Sequence, residues 1–483
     1  MKKFAVGDRL GRASLSLSLA LAIAVAAGPA SAQVAPERTP RPVPGDDGGG
    51  GRGLGASLIL LPILGGAALG VAAAHARNGE EPPPPPSAPP RRPRPRAAPS
   101  LLTRIFLPPP GETRFRPSEV LVEISSAAPP ATLAAIARRH RLVEAEAASV
   151  GLLGVSVRLW RIPDARDVAN VVRELGGEAA LARVQPNYLY AAQDDAGPPP
   201  AEAAPAPPQY ALAKLNVDAA LTAAASEPVR VAVIDTAIDE SHPDLLGAVE
   251  ARFDAIGGAT PARAFDHGTA IAGAIAARGR LKGVDPNVRI LSARAFDSDG
   301  AGEFGATFSL LKAIDWAARE RAKVINMSFA GPPDPALNDI VAAALAKGVT
   351  LVAAAGNAGP KSPPLYPAAD PGVLAVTATD ADDKRYEKAN VGGYIAVAAP
   401  GVDVLLPAPE GGYALETGTS VSAALVSGVA ALMLARRPQA QPAEVRKWLA
   451  ATAAPLGGGA RPSEFGAGLV DARRAAEAAA AAK

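Results

Sequence analysis

Three separated residues of this chain have the types that nucleophilic acyl chemistry needs: Asp235, His267 and Ser420. Ser420 sits in Glu416-Thr417-Gly418-Thr419-Ser420-Val421-Ser422-Ala423-Ala424, ahead of a long apolar run. The glycine permits a tight turn, and a serine in the first helical turn has its hydroxyl beside unpaired backbone N–H groups and the positive end of the helix dipole. Such a position suits a nucleophile whose reaction develops negative charge, although an isolated Gly-Thr-Ser before a helix is usually only a cap. A serine nucleophile also needs a base to take its proton and an acid to orient that base. Val229 to Thr236 is a β-branched run holding Asp235 at its end, as a buried parallel strand would be when it delivers a carboxylate to the C-terminal edge of a sheet. Asp266-His267-Gly268-Thr269 opens an Ala- and Ile-rich stretch that reads as a buried helix. The chain has four histidines: His75 lies in low-complexity sequence, His140 follows an amphipathic basic helix, and His242 sits in a Ser-His-Pro-Asp turn. His267 is the one in a setting suited to catalysis.

The elements around these residues alternate. Strands are expected near 230, 288, 323, 349 and 373, and helices at about 267–277, 304–320, 335–347 and 419–435, a periodicity that implies an α/β, doubly wound, mostly parallel sheet. Asp235 and Asn357 follow strands while His267 and Ser420 open helices, so all four are placed to meet at the sheet's C-terminal edge.

The order Asp235, His267, Ser420 is the subtilisin order of a serine-protease triad. From about Gln209 to Asp471 the chain resembles the subtilisin-like serine proteases (subtilases, peptidase S8). The resemblance rests on Val-Ile-Asp-Thr-Ala-Ile-Asp around Asp235, Asp-His-Gly-Thr around His267, Ala-Ala-Ala-Gly-Asn at 353–357 and Gly-Thr-Ser at 418–420. It implies hydrolysis of peptide bonds through an acyl-enzyme, with the Asn357 amide and the Ser420 backbone N–H as oxyanion donors. On residue type alone Asn357 would read as a turn asparagine. The resemblance also implies that an extended substrate pairs with two backbone segments, one around Gly300 and the other Ser328-Phe329-Ala330. It makes Ala353, Ala354, Ala355 and Gly356 the wall of the primary side-chain pocket, although these alanines could equally serve tight sheet packing. Ala358 at the rim and Leu365 near the floor, where the family often has glycine, predict an uncharged, small to medium apolar residue before the cleaved bond. Tyr366-Pro367 resembles a cis-proline site of the family.

The chain departs from the family pattern in several places. Thr236-Ala237 replaces Ser-Gly, Ala270 stands where a second histidine is common, and Val421-Ser422-Ala423-Ala424-Leu425 replaces Met-Ala-Ala-Pro-His. No cofactor is expected. Asp244 matches a family calcium ligand, but the loop that would complete the site shrinks to Arg278-Gly279-Arg280-Leu281-Lys282, whose three cations would repel Ca²⁺; no metal site is expected.

Upstream, residues 1–32 read as a signal peptide: Lys2, Lys3, Arg9 and Arg12, an apolar stretch from Leu15 to Ala27, then Ala30-Ser31-Ala32 as the cleavage site. Residues 33–112 are rich in Pro, Gly and Arg and are expected to stay disordered. Within them, 54–74 is uncharged and about long enough to span a bilayer, so membrane association through it is an expectation, as a span or a peripheral patch. Residues 113–195 read as β-α-β-β-α-β, a small ferredoxin-like α+β domain. In that position it resembles the inhibitory propeptides of subtilases, which implies a partner in cis whose strand Pro186-Asn187-Tyr188-Leu189-Tyr190 enters the cleft. A Pro/Ala-rich linker, 196–208, leads to a catalytic domain at 209–475.

The chain has 483 residues, a formal net charge of +2 and no cysteine. The charge balance gives no argument for nucleic-acid binding, so no nucleic-acid partner is expected, and an exported protein without cysteine needs no disulfides. The expected partners are protein or peptide substrates, and the expected location is periplasmic or extracellular. A catalytically weak or inactive subtilase-fold scaffold is the alternative function. A nucleotide-binding protein is set aside because no Gly-x-Gly-x-x-Gly or Gly-Lys-Ser/Thr motif follows the first strand.

Overall fold

The computed structural model describes residues 103–125, 128–193, 195–196, 209–221, 228–257, 266–298, 303–459 and 462–482. The expected signal peptide, the Pro/Gly/Arg-rich arm up to 102, the apolar segment 54–74 and Gly300 lie outside the described residues.

The first described elements are β1 (Arg104–Ile105), β2 (Phe115–Ile124), α1 (Pro130–Arg139), β3 (Val143–Val150), β4 (Val155–Arg161), α2 (Val168–Leu175) and β5 (Leu181–Ala192). Strands β5, β2, β4 and β3 pair antiparallel in that spatial order. In α2, Val168, Val171, Val172 and Leu175 form one apolar stripe at helical spacing, and Asp167 caps the helix by accepting from the Asn170 N–H at 3.0 Å. That stripe packs with Leu133 and Ile136 of α1 against Val120, Val122, Trp160 and Val184 of the sheet. Leu121, Val157 and Tyr188 belong instead to a core shared with the rest of the molecule.

After β6 (Asp195–Ala196) come α3 (Tyr210–Lys214), α4 (Val217–Leu221), β7 (Arg230–Asp235), β8 (Val249–Asp254), α5 (Asp266–Ala276), β9 (Arg289–Arg294), β10 (Phe296–Ser298), β11 (Glu303–Ala306) and α6 (Thr307–Arg319). They are followed by β12 (Val324–Met327), β13 (Phe329–Ala330), α7 (Pro335–Ala346), β14 (Thr350–Ala354), β15 (Leu374–Thr379), β16 (Ile395–Pro400), β17 (Val404–Ala408) and β18 (Gly412–Thr417). Four helices close the chain: α8 (Thr419–Arg436), α9 (Pro442–Thr452), α10 (Pro462–Phe465) and α11 (Ala472–Ala481). Strands β16-β15-β14-β12-β7-β9-β8 form one parallel sheet. Helices α5, α8 and α11 cover one face, and α6 and α7 the other, as a doubly wound fold requires. Helix α8 is long and apolar enough to cross a membrane, but every residue from Thr419 to Ala435 is buried, which marks it as a core helix.

Two expectations change. The helix expected from 304 starts at Thr307, because Glu303–Ala306 is taken into a sheet between β10 and β5. Gly305 permits this: a Cβ there would lie 2.8 Å from the Ala295 carbonyl oxygen and from the Phe296 ring. Strand β5 also continues beyond Pro186–Tyr190, to Ala192. Strand β5 has twelve residues, of which Leu181 to Tyr188 pair with β2 and Leu189 to Ala192 pair with β11 and β13. Tyr366–Pro367 is cis.

Candidate active site

Strand β7 lies between β12 and β9, and Val231 to Ile234 are buried on both faces, so its last residue delivers the Asp235 carboxylate to the sheet edge at 2 % exposure. One oxygen, Oδ1, accepts from the Thr236 N–H at 2.7 Å and meets His267 Nδ1 at 2.6 Å. An ionised carboxylate only accepts, so Nδ1 carries the proton and Nε2 is left as the basic nitrogen. The Thr236 hydroxyl accepts from the Gly268 N–H at 3.0 Å and ties the strand end to the helix start. Gly268 allows that approach, because a Cβ there would sit 2.7 Å from the Thr236 and Ala237 carbonyl oxygens.

On the other side, Thr419 donates to Asn357 Oδ1 from its backbone N–H at 3.1 Å and from its hydroxyl at 2.8 Å. With Oδ1 engaged in this way, the amide nitrogen Nδ2 faces elsewhere. Nδ2 and the Ser420 hydroxyl are both buried with no hydrogen-bond partner among the described residues. The Ser420 backbone is held from behind: Ser328 Oγ donates to the Ser420 carbonyl at 3.0 Å, Asn326 Nδ2 to Ser328 Oγ at 2.8 Å, and Ser427 Oγ to Asn326 Oδ1 at 3.0 Å. Ser422, one of the departures after Ser420, donates to the carbonyls of Ala399 and Pro400 at 3.0 and 2.9 Å. Val421, Ala424 and Leu425 are buried in the core.

The chain's own β5 runs into this site. Phe304, Gly305 and Ala306 pair with Ala191, Tyr190 and Leu189, while Phe329 and Ala330 pair with Ala192 and Ala191. At the end of the strand the Gln193 N–H donates to the Ser328 carbonyl at 3.2 Å, and the Gln193 carbonyl accepts from the Ser420 N–H at 3.3 Å. Asp195 and Ala196 then pair with Thr417 and Glu416 of β18. The backbone thus passes Ser420 with paired strands on both sides. Ser328, Phe329 and Ala330 lie against this strand of the chain itself, and β11 forms the facing wall. Ala353, Ala354 and Ala355 are fully buried at the end of β14. Beside Gly356, a Cβ would meet Leu365 Cδ1 at 2.7 Å and Asn390 Nδ2 at 3.0 Å, so that space is already filled. The Gln193 side chain bonds only to backbone: Oε1 accepts from the Asn357 N–H at 2.8 Å, and Nε2 donates to the Ala191 and Ala192 carbonyls at 3.0 and 3.1 Å.

Sequence reasoning missed two groups. Glu303 joins Asp235 and His267 with one donor atom each within 4.8 Å of one another, a set that could hold a metal ion. Asp235 and His267 already use Oδ1 and Nδ1 on each other. Glu303 arrives through the pairing of β11, which no local motif announces. The other is Gln193, which lies beyond the segment expected to enter the cleft. Asp244 spends its carboxylate on the Arg280 and Leu281 N–H groups at 2.6 and 2.9 Å, and Gly279 packs directly against it. His242 is structural: Nδ1 accepts from the Asp244 N–H at 3.0 Å and Nε2 lies 2.9 Å from the Gly412 carbonyl.

Comparison with known proteins agrees with this architecture. The profile of the subtilase family, peptidase S8, matches residues 226–468. The chain is 36 % identical over 256 residues to subtilisin NAT of Bacillus subtilis subsp. natto, a match covering 52 % of this chain and 66 % of that protein. It is equally identical to the subtilisin of Bacillus pumilus, of which it covers 91 %. Thermitase of Thermoactinomyces vulgaris is 35 % identical over 231 residues, 47 % of this chain and 81 % of the relative. The fold is similar to that of fervidolysin from Fervidobacterium pennivorans, described as a keratinolytic enzyme related to subtilisin, with a TM-score of 0.66 at 24 % identity over 78 % of this chain and 63 % of that one. The chain therefore belongs to the subtilase family.

Proposed function

We propose that this protein is an exported serine endopeptidase of the subtilisin type, made as a zymogen that cuts itself between Gln193 and Asp194. The observation that carries the reading is the strand passing Ser420, with the Gln193 carbonyl on the Ser420 N–H. That carbonyl is the electrophile the serine would attack. His267 Nε2 takes the Ser420 proton as Oγ bonds to the carbonyl carbon, and returns it to the departing amine of Asp194. Asp235 holds the imidazole in the tautomer that permits this and stabilises its charged form. The oxyanion would be met by the Ser420 N–H, which already donates to the Gln193 carbonyl, and by the Asn357 amide Nδ2. Water then hydrolyses the acyl-enzyme by the reverse proton path.

In this reading residues 113–193 are the propeptide. Its grip on the catalytic domain is supported by the contacts it makes: Asn187 Oδ1 accepts from the Phe308 N–H at the start of α6 at 3.1 Å, and Gln185 Nε2 donates to Asp334, the cap of α7, at 2.7 Å. After cleavage the strand would stay in the cleft as an inhibitor until the domain is removed. Export rests on the sequence of the first 32 residues, and the substrates are proteins or peptides in extended conformation.

A serine-directed fluorophosphonate tests the activity. The full chain should become labelled and the Ser420→Ala form should not. A folded native protein that stays unlabelled would favour an inactive subtilase-fold scaffold.

A further inference from the structure

Tyr190 is the fourth residue before the Gln193–Asp194 bond, counting Gln193 as the first, and it is the best-held side chain of the cleft strand. Its ring is fully buried, edge-on to Phe329 at 5.9 Å, and Phe296 packs on Phe329 in turn with ring centroids 5.1 Å apart. Gly331 makes the space: a Cβ there would overlap the Tyr190 ring carbons. At the bottom of this pocket the phenol hydroxyl faces two acceptors, Asp334 Oδ2 and the Pro332 carbonyl, each at 3.3 Å. Asp334 is 1 % exposed, and the Thr307 hydroxyl donates to the same oxygen at 2.6 Å. Its other oxygen accepts from Gln185 Nε2 and from the N–H groups of Ala336 and Leu337. Apart from Gln185 and Tyr190, every one of these groups belongs to the chain beyond residue 209, so the pocket and its acceptors remain when the N-terminal domain leaves.

The other positions of the strand offer little to read. Ala191 and Ala192 carry only methyl groups, Gln193 bonds only to backbone, and Leu365 fills the space beside Gly356. Burial, and after it Asp334, holds the Tyr190 phenol well above its ordinary pKa, so it stays a donor. A phenylalanine in the same place would leave a buried acceptor short of a donor, which costs more than an exposed hydrogen bond would.

We propose that the enzyme selects peptides carrying a tyrosine four residues before the cleaved bond, with Asp334 and the Pro332 carbonyl reading the phenol hydroxyl in a pocket that Gly331 keeps open. This rests on the endopeptidase reading above. It moves the main selectivity away from the residue next to the cleaved bond.

The test uses the full chain after self-processing and internally quenched peptides built on Leu-Tyr-Ala-Ala-Gln-Asp-Asp-Ala, with the tyrosine kept or replaced by phenylalanine, leucine or alanine. The expected kcat/KM for tyrosine exceeds that for phenylalanine by about tenfold. Asp334→Asn, which keeps a cap for α7, should bring the Tyr:Phe ratio towards one. Gly331→Ala should lower the Tyr:Ala ratio by about tenfold through overlap with the ring. Equal cleavage of the tyrosine and phenylalanine peptides by protein that labels with fluorophosphonate overturns the selectivity alone, as does a Tyr:Ala ratio unmoved in Gly331→Ala. Protein that neither labels nor cuts any of the peptides overturns the endopeptidase reading and this one with it.

Discussion

Asn357 works from both ends of its amide. Its oxygen accepts twice from Thr419, and its nitrogen is buried with no hydrogen-bond partner among the described residues, which is where the proposed mechanism needs an oxyanion donor. Asn357→Ala is expected to lower kcat by about 10²–10³ with little change in KM, a magnitude known for the oxyanion-hole asparagine of a subtilisin. Gly268 is constrained by close approach. Gly268→Ala would push a methyl against two carbonyl oxygens and should cost about 1–3 kcal/mol of stability, read as a lower unfolding midpoint in denaturant. Asp370 gives a pH signature. Burial, and after it the neighbouring Asp334, pushes its pKa up to about 7. The native state then holds more protons than the unfolded state between the ordinary carboxylate range and about 7, so stability falls as pH rises through that window and levels off above it. Asp370→Asn should remove this slope and raise the thermal midpoint most at about pH 8.

At the scale of elements, the parallel order of strands was legible because it rests on local pattern, β-branched runs such as the one ending in Asp235 alternating with Ala-rich helices at helical spacing, and the Asp235–His267 pair lies where those patterns end. Asn357 was singled out by the family resemblance alone. The β-α-β-β-α-β order of the upstream domain was legible for the same reason. Residues 304–306 were read as the start of a helix because only the partners β10 and β5 make Glu303–Ala306 a strand. Gln193, Glu303 and the Tyr190 pocket were not legible, since each depends on which backbone lies against which. The hold of the upstream domain on α6 can be tested at its cap. Asn187→Ala removes the acceptor for the Phe308 N–H and should cost about 1 kcal/mol, or roughly a fivefold weaker inhibition constant for residues 113–193 added in trans.

Over the whole molecule, two cores meet at β5. One lies inside the small α+β domain, and the other joins Leu121, Tyr188 and Tyr190 to Phe308, Leu311 and Leu337 of the catalytic domain. Polar contacts flank that join: Lys312 pairs with Glu146, Arg183 with Asp339, and Asp315 accepts from the Leu152 N–H at 2.7 Å. If the upstream domain is the proposed inhibitory propeptide, a core shared in this way should make it leave slowly, so mature activity should appear later than the cut itself. If the strand beside Ser420 is a substrate aligned for cleavage after Gln193, intact mass and N-terminal sequencing of the folded full chain, beside its Ser420→Ala form, will show a new N-terminus at Asp194 in the native form alone. Both forms staying whole, or a break elsewhere that also occurs in Ser420→Ala, would rule that alignment out.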